Sequence, residues 1–168
     1  MSKYSYPSYT DEERGSEVVF LNTNDAPVGT LFAKVTAGRG TFPLEGVTVY
    51  VRDYRDGSEG ELLYTLKTGS DGLTPSVRLS APDKSSSLSP GGTALPYSEY
   101  VITAQKSGFN TVENVGVPIF DGIVSIQNVD MVPLTEDEVL NGSTGTTVYY
   151  ENGGYMDLNG NLTGEGRT

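Results

Sequence analysis

Pro43–Arg52 reads PLEGVTVYVR, and the second half of this stretch decides the fold. Val47, Val49 and Val51 alternate with Thr48, Tyr50 and Arg52. Side chains of an extended chain point to opposite faces in turn, so one face of this segment is aliphatic and the other polar. A helix over the same residues would turn Val49 away from Val47 and Val51 and bury no common stripe. The segment therefore predicts a half-buried β-strand, with β-branched residues on its covered face.

The same period of two recurs on both sides of it. Upstream, Thr30–Thr36 (TLFAKVT) sets Leu31, Ala33 and Val35 against Phe32, Lys34 and Thr36. Downstream, DYRDGSEG reads as a polar loop, and Glu61–Lys67 (ELLYTLK) as a third strand closed by the turn TGSDG. Leu73–Leu79 is a weaker strand, and Pro75 suits an edge position. Ser80–Tyr97 is a long loop rich in Ser, Pro and Gly. Strands follow at Tyr100–Gln105, Thr111–Val117 and Ile123–Met131, divided by KSGF and PIFDG. In the last of these, Ile123, Ser125, Gln127, Val129 and Met131 share one face, and Val124, Ile126, Asn128 and Asp130 the other. Short strands with turn signals at such intervals predict an all-β, antiparallel sandwich over residues 28–134. Residues 1–27 read as an extended arm, with one short apolar strand at Glu17–Asn22. Residues 135–168 read as a Gly/Asn-rich tail. That tail opens on a helical turn at Thr135–Leu140 and holds β-prone islands at Thr146–Tyr150 and Tyr155–Leu158.

Composition removes whole classes of function. The 168 residues include 21 Gly and 9 Pro, which fits many turns, and no Cys, Trp or His. No disulfide, thiolate metal site or Ser-His-Asp triad can be built from such a chain. The formal net charge of −11 repels nucleic acid phosphates and anionic lipid heads, so neither nucleic acid nor membrane is an expected partner. The first residues, MSKYSYPSYTDEERGSEV, lack the apolar core of a Sec signal. The expectation is synthesis in a cytoplasm, followed by residence on a spore surface or an extracellular particle reached by a route that needs no signal.

Two stretches carry a family resemblance. Gly29, Leu31, Val35, Pro43–Val51, Thr65, Thr68, Asp71, Gly72, Tyr100–Ala104 and Gly108–Phe109 together resemble the carboxypeptidase-regulatory, transthyretin-like (Ig-like) sandwich. SLSPGG, PYSEYVITAQKSGF and VPIFDGIVSIQNVDMVPL are similar to a module of clostridial spore-associated proteins, in which a peptidoglycan-binding repeat often follows. Only the Gly/Asn-rich tail follows Leu134 in this chain. The resemblance implies a scaffold and not an enzyme.

Each candidate chemistry meets a plainer reading. Asp53, Asp56, Glu59 and Glu61 offer carboxylate pairs for glycoside hydrolysis, yet no apolar residue is interleaved to raise a carboxyl pKa. A solvated turn is the simpler account. Asp157, Asn159, Asn161 and Glu165 alternate as hard oxygen ligands for calcium, but without EF-hand spacing. Related surface sandwiches hold Lys–Asn isopeptide bonds. Lys34, Asn128 and Glu99 are the equivalents here, with Lys34 facing away from the aliphatic side of its strand. No catalytic residue, cofactor or metal ligand is assigned.

Tyrosine is the remaining signal: 11 Tyr against 5 Phe, with Tyr4, Tyr6, Tyr9, Tyr149, Tyr150 and Tyr155 all in the extensions. Tyrosine joins a large apolar ring to a polar end, which suits interfaces. The expected assembly residues are these six with Val18, Phe20 and Val148. The expected function is a structural protein that self-assembles into a filament or homo-oligomer, or decorates a spore surface or virion, through strand addition by its ends. The alternative is a module that binds peptidoglycan or another glycan, with Tyr50, Tyr54 and the Ser80–Tyr97 loop as its groove.

Overall fold

The structure, a computed structural model, describes residues 26–85 and 95–151, together with two short backbone segments at 155–156 and 162–163. In chain order its elements are β1 (Val28–Ala37), β2 (Phe42–Pro43), β3 (Thr48–Arg55), β4 (Ser58–Lys67), β5 (Val77–Ser80), β6 (Ser98–Gln105), β7 (Thr111–Ile119), β8 (Val124–Met131), α1 (Glu136–Asn141), β9 (Thr146–Tyr150), β10 (Tyr155–Met156) and β11 (Leu162–Thr163). Two sheets face each other. In the four-stranded sheet, β1 is central, with β2 and β5 along one edge and β8 along the other. The five-stranded sheet runs β4-β3-β6-β7-β9. The molecule is an all-β sandwich, as the alternation predicts.

Its core is the aliphatic face of each alternating strand. Leu31 and Val35 of β1 and Val49 and Val51 of β3 are buried, with Ile102, Val112, Ile119, Val129 and Met131 from β6, β7 and β8. Val47, just ahead of β3, joins them. Buried polar groups are placed to satisfy the backbone. The Thr68 hydroxyl donates to the Leu44 carbonyl at 2.6 Å and accepts the Val47 N–H at 2.9 Å. Thr74 accepts the Ala33 N–H at 2.9 Å. Gly29 has no room for a side chain, because a Cβ there would meet the Phe120 carbonyl and the Ile119 methyl. These close approaches join β1 to the β7–β8 turn.

DYRDGSEG, expected as a polar loop, is instead a tight hairpin. Asp56 and Gly57 take positive φ values of 52° and 77°, the signature of a two-residue turn whose twist matches the flanking strands. β3 therefore continues to Arg55 and β4 begins at Ser58. Most strand pairs are antiparallel, as expected. Two run parallel: β1 with β8, from Thr30 opposite Val124 to Ala37 opposite Met131, and β7 with β9. A parallel partner needs a crossover. The chain makes one by passing from β7 into β8 of the other sheet, then back through α1 to β9.

The folded body thus reaches past Leu134. Thr135 caps α1 by accepting the Glu138 N–H, while the Glu138 carboxylate accepts the Thr135 N–H at 2.7 Å. This pulls the Glu138 carboxyl below its ordinary pKa. Gly142 ends the helix in the left-handed region, φ 63°. Asn110 then accepts the Gly145 N–H at 2.8 Å and delivers the chain to β7.

Candidate functional site

Among the described residues, no cluster of three or more His, Cys, Asp or Glu side chains is placed to hold a metal. No helix among them is long and apolar enough to cross a membrane. Two of the four hairpin carboxylates are partnered by arginine. Asp53 lies 2.7 Å from Arg55, and Glu59 lies 3.8 Å from Arg52. Asp53 and Glu61 line an open depression of about 380 Å³ with Arg55, Arg78 and Tyr100. The Tyr100 hydroxyl is tied to the Ser80 carbonyl at 2.7 Å. The Asp157–Glu165 oxygens weighed for calcium lie outside the described residues.

Lys34 and Asn128 are direct neighbours in the β1–β8 register, but both are exposed on the outer face of their sheet. Glu99 stands in β6 of the other sheet. Amide exchange needs an uncharged lysine buried beside an acid, and that trio is not assembled here.

The outer face of the five-stranded sheet carries a row in cross-strand register: Arg52, Val101, Val115 and Tyr150. Val101 and Val115 are buried although they point away from the core between the sheets. Glu113 lies in the next row, between Thr103 and Val148. Burial pushes its carboxyl above the ordinary value, the Glu59 carboxylate adds to this, and Arg52 opposes it. Tyr50 and Tyr54 occupy β3 on that same face, their partners in β6 being Thr103 and Glu99.

Of the expected assembly residues, Tyr4, Tyr6, Tyr9, Val18 and Phe20 lie outside the described residues. Val148, Tyr149 and Tyr150 are brought together in β9, opposite Glu113, Asn114 and Val115 of the chain's own β7. Tyr149 is exposed. Beyond β9, the Glu151 carboxylate accepts hydrogen bonds from Asn114 and Gln127, each at 3.0 Å, which links β7, β8 and the end of β9. Tyr155 opens β10, whose backbone pairs with β11.

Strand edges are the feature that reading by residue type missed. β4 pairs only with β3, and β8 only with β1, among the described residues. The β4 edge is broken by register shifts at Val51/Arg52 and Arg52/Tyr54 and carries Glu59, Glu61 and Lys67. Bulges and charges are the usual guards of an edge. β8 has neither over most of its length. Its register with β1 is continuous for eight residues, and its one charge, Asp130, is held by the Arg39 and Gly40 N–H groups. Val124 and Ile126 are 63% and 55% exposed on its outer face, with Ile123 just ahead of them. The signal was present in the sequence: this strand carries apolar residues on both faces, Ile123, Val129 and Met131 on one and Val124 and Ile126 on the other.

No protein-family model and no curated protein matches the chain. Among solved structures it is similar to the Bacillus anthracis TIE protein, with 11% identity over 64% of this chain and 17% of that one, at TM-score 0.39. It is also similar to a DUF3823 family protein from Parabacteroides merdae, with 19% identity over 65% and 48% of the two chains, at TM-score 0.39. A third is GBS52, the minor pilin of Streptococcus agalactiae, with 17% identity over 66% and 48%, at TM-score 0.39. This chain spans less than half the length of each.

Proposed function

We propose that this chain is a non-enzymatic structural module that assembles with copies of itself or decorates a larger particle, through strand addition by its terminal segments. A spore-surface layer, an appendage filament and a virion are the settings that suit it. The observation that carries this reading is the set of strand edges that no described strand covers, β8 in the four-stranded sheet and β4 and β9 in the five-stranded one among them. An open edge offers a row of backbone donors and acceptors to any extended segment. The chain's own extensions supply such segments, rich in tyrosine and β-branched residues. The pairing of Asp53 and Glu59 with arginine supports a surface without catalysis. The similarity of VPIFDGIVSIQNVDMVPL to the spore-associated module supports the setting.

Light scattering and negative-stain microscopy test the reading. The full chain is expected to form high oligomers or filaments, and a chain lacking residues 1–25 to form fewer or none. A full chain that stays a single copy at every concentration overturns it.

Tyr50 and Tyr54 favour a second reading, recognition of peptidoglycan or another glycan. They stand four residues apart on one strand face, about 13 Å, a spacing on which two sugar rings of a chain could stack. Glycan fragments should then shift the resonances of both rings. Unmoved rings at millimolar ligand remove this reading.

A further inference from the structure

The unguarded edge and the arm are complementary, and the path of the chain at Pro27 says between which molecules. The Thr30 N–H bonds the Ile123 carbonyl, so the backbone groups of Ile123, Ser125, Gln127 and Val129 face β1. Those of Val124, Ile126, Asn128 and Asp130 alternate with them and point out of the sheet edge. A strand laid along that edge would find backbone partners spaced over the whole of β8. Beside it on the outer face would lie Val124 and Ile126, next to Thr30 and Phe32 of β1.

The segment Glu17–Asn22, EVVFLN, has the composition for that place. Val18 and Phe20 fall on one side and Val19 and Leu21 on the other, so it is apolar on both faces. Strands of that kind are buried on both faces. It cannot pair with β1, the strand it leads towards, because β8 holds one edge of β1 and β5 and β2 hold the other. The Pro27–Val28 peptide is bonded on both edges, its carbonyl accepting the Ala81 N–H on the β5 side and its N–H donating to Asp121 of the β7–β8 turn on the other. Between that peptide and the β8 edge stands the β7–β8 turn, bonded to β1 through Gly122 N–H to Val28 carbonyl at 2.9 Å. Residues 23–27 join the segment to β1, up to about 17 Å when extended, enough to present it to a second molecule lying against that end of the sandwich.

We infer that the open edge of β8 is the acceptor site for the Glu17–Asn22 segment of a second copy of this chain, in a head-to-tail arrangement. Donor and acceptor are different surfaces, so the contact does not close on itself in a pair and propagates as a fibre. The inference rests on the assembly reading above and adds to it the two surfaces that meet.

The test uses two full-length variants. One carries Val18→Asp with Phe20→Asp and keeps an intact β8. The other carries Val124→Lys with Ile126→Lys, at exposed positions that leave the core untouched, and keeps an intact arm. Circular dichroism and thermal melts establish that both fold. Each alone is expected to scatter as a single chain of 17.9 kDa, and the mixture as one species of about twice that mass. If the β8 variant assembles as the parent does, β8 is not the acceptor, and the broader reading stands with another edge. If the arm variant assembles as the parent does, the segment is not the occupant. If both are single chains and the mixture stays so, the head-to-tail contact is wrong. If the parent itself is a single chain, the broader reading has failed first.

Discussion

At the scale of single residues, the sandwich is held by side chains that finish backbone hydrogen bonds the sheets leave open. Thr68 is the clearest, since one hydroxyl serves both the Val47 N–H and the Leu44 carbonyl. Thr68→Val keeps the shape and strands both groups, at a cost of about 2–3 kcal/mol. Thr68→Ser, which keeps the hydroxyl, should recover most of that in urea melts. Glu113 tests electrostatics. Its folded pKa lies above its unfolded one because burial disfavours the charged form. Its contribution is therefore complete below the unfolded pKa and is lost as pH rises through the folded one. Glu113→Gln should melt higher than the parent near neutral pH, and the gap should close once the pH falls below the ordinary glutamate range. A gap of constant size across that range would show that packing, not charge, separates the two. The sequence displays neither effect. Thr68 stood out only through the family resemblance, and the surroundings of Glu113 are made by β3, β4 and β9, which are distant in the chain.

At the scale of elements, periodicity located most strands and misjudged what joins them. Val47–Val51 alternates so cleanly that its covered face could be read, and the structure buries it; in Ile123–Met131 the two faces could be told apart, and the structure buries only Val129 and Met131. The β3–β4 hairpin was hidden because its residues are polar on both faces. Only the Asp56-Gly57 pair marked it, and a turn signal inside a polar run looks like a loop. Thr146–Tyr150 was legible as β-prone, but its partner was not. Nothing local says that an island after a helix returns to β7 in parallel. This decides where the chain can be cut. A chain ending at Glu151 should melt close to the parent. One ending at Asn141 loses β9, the Glu151 links to Asn114 and Gln127, and the cover on the β7 edge. We expect it to be less stable by about 2–4 kcal/mol, or to aggregate, in thermal melts followed by circular dichroism.

At the scale of the whole molecule, charge and apolar edge pull in opposite directions. Copies carrying a net charge of −11 repel one another, and salt screens that repulsion, to about 10 Å at 0.1 M. Association through β8 is driven by backbone pairing and apolar burial, which salt does not weaken. Oligomer mass in light scattering should therefore rise between low salt and roughly physiological salt. Mass that falls instead would point to ion pairs as the glue. Composition made this balance legible at once, because a chain without His or Cys left little else to weigh. The acceptor surface was not legible, since an edge exists only once the neighbours of a strand are known.

The chain enters and leaves the sandwich towards the same end. β1 begins at the β7–β8 turn, where Asp121 and Gly122 bond Val28, and β9 runs parallel to β7 towards that turn. Tension between the two extensions of one molecule would thus act across the strands, and would unzip β1 from β8 one bond at a time. Tension between the amino-terminal extension and the opposite end, near the turn at Gly38–Gly40, would instead run along β1 and be borne by its already extended backbone, with no ladder bond having to part. Held by its extension at one end and gripped at the other, the module is a strong link. Held by both extensions, it is one that opens under a modest pull.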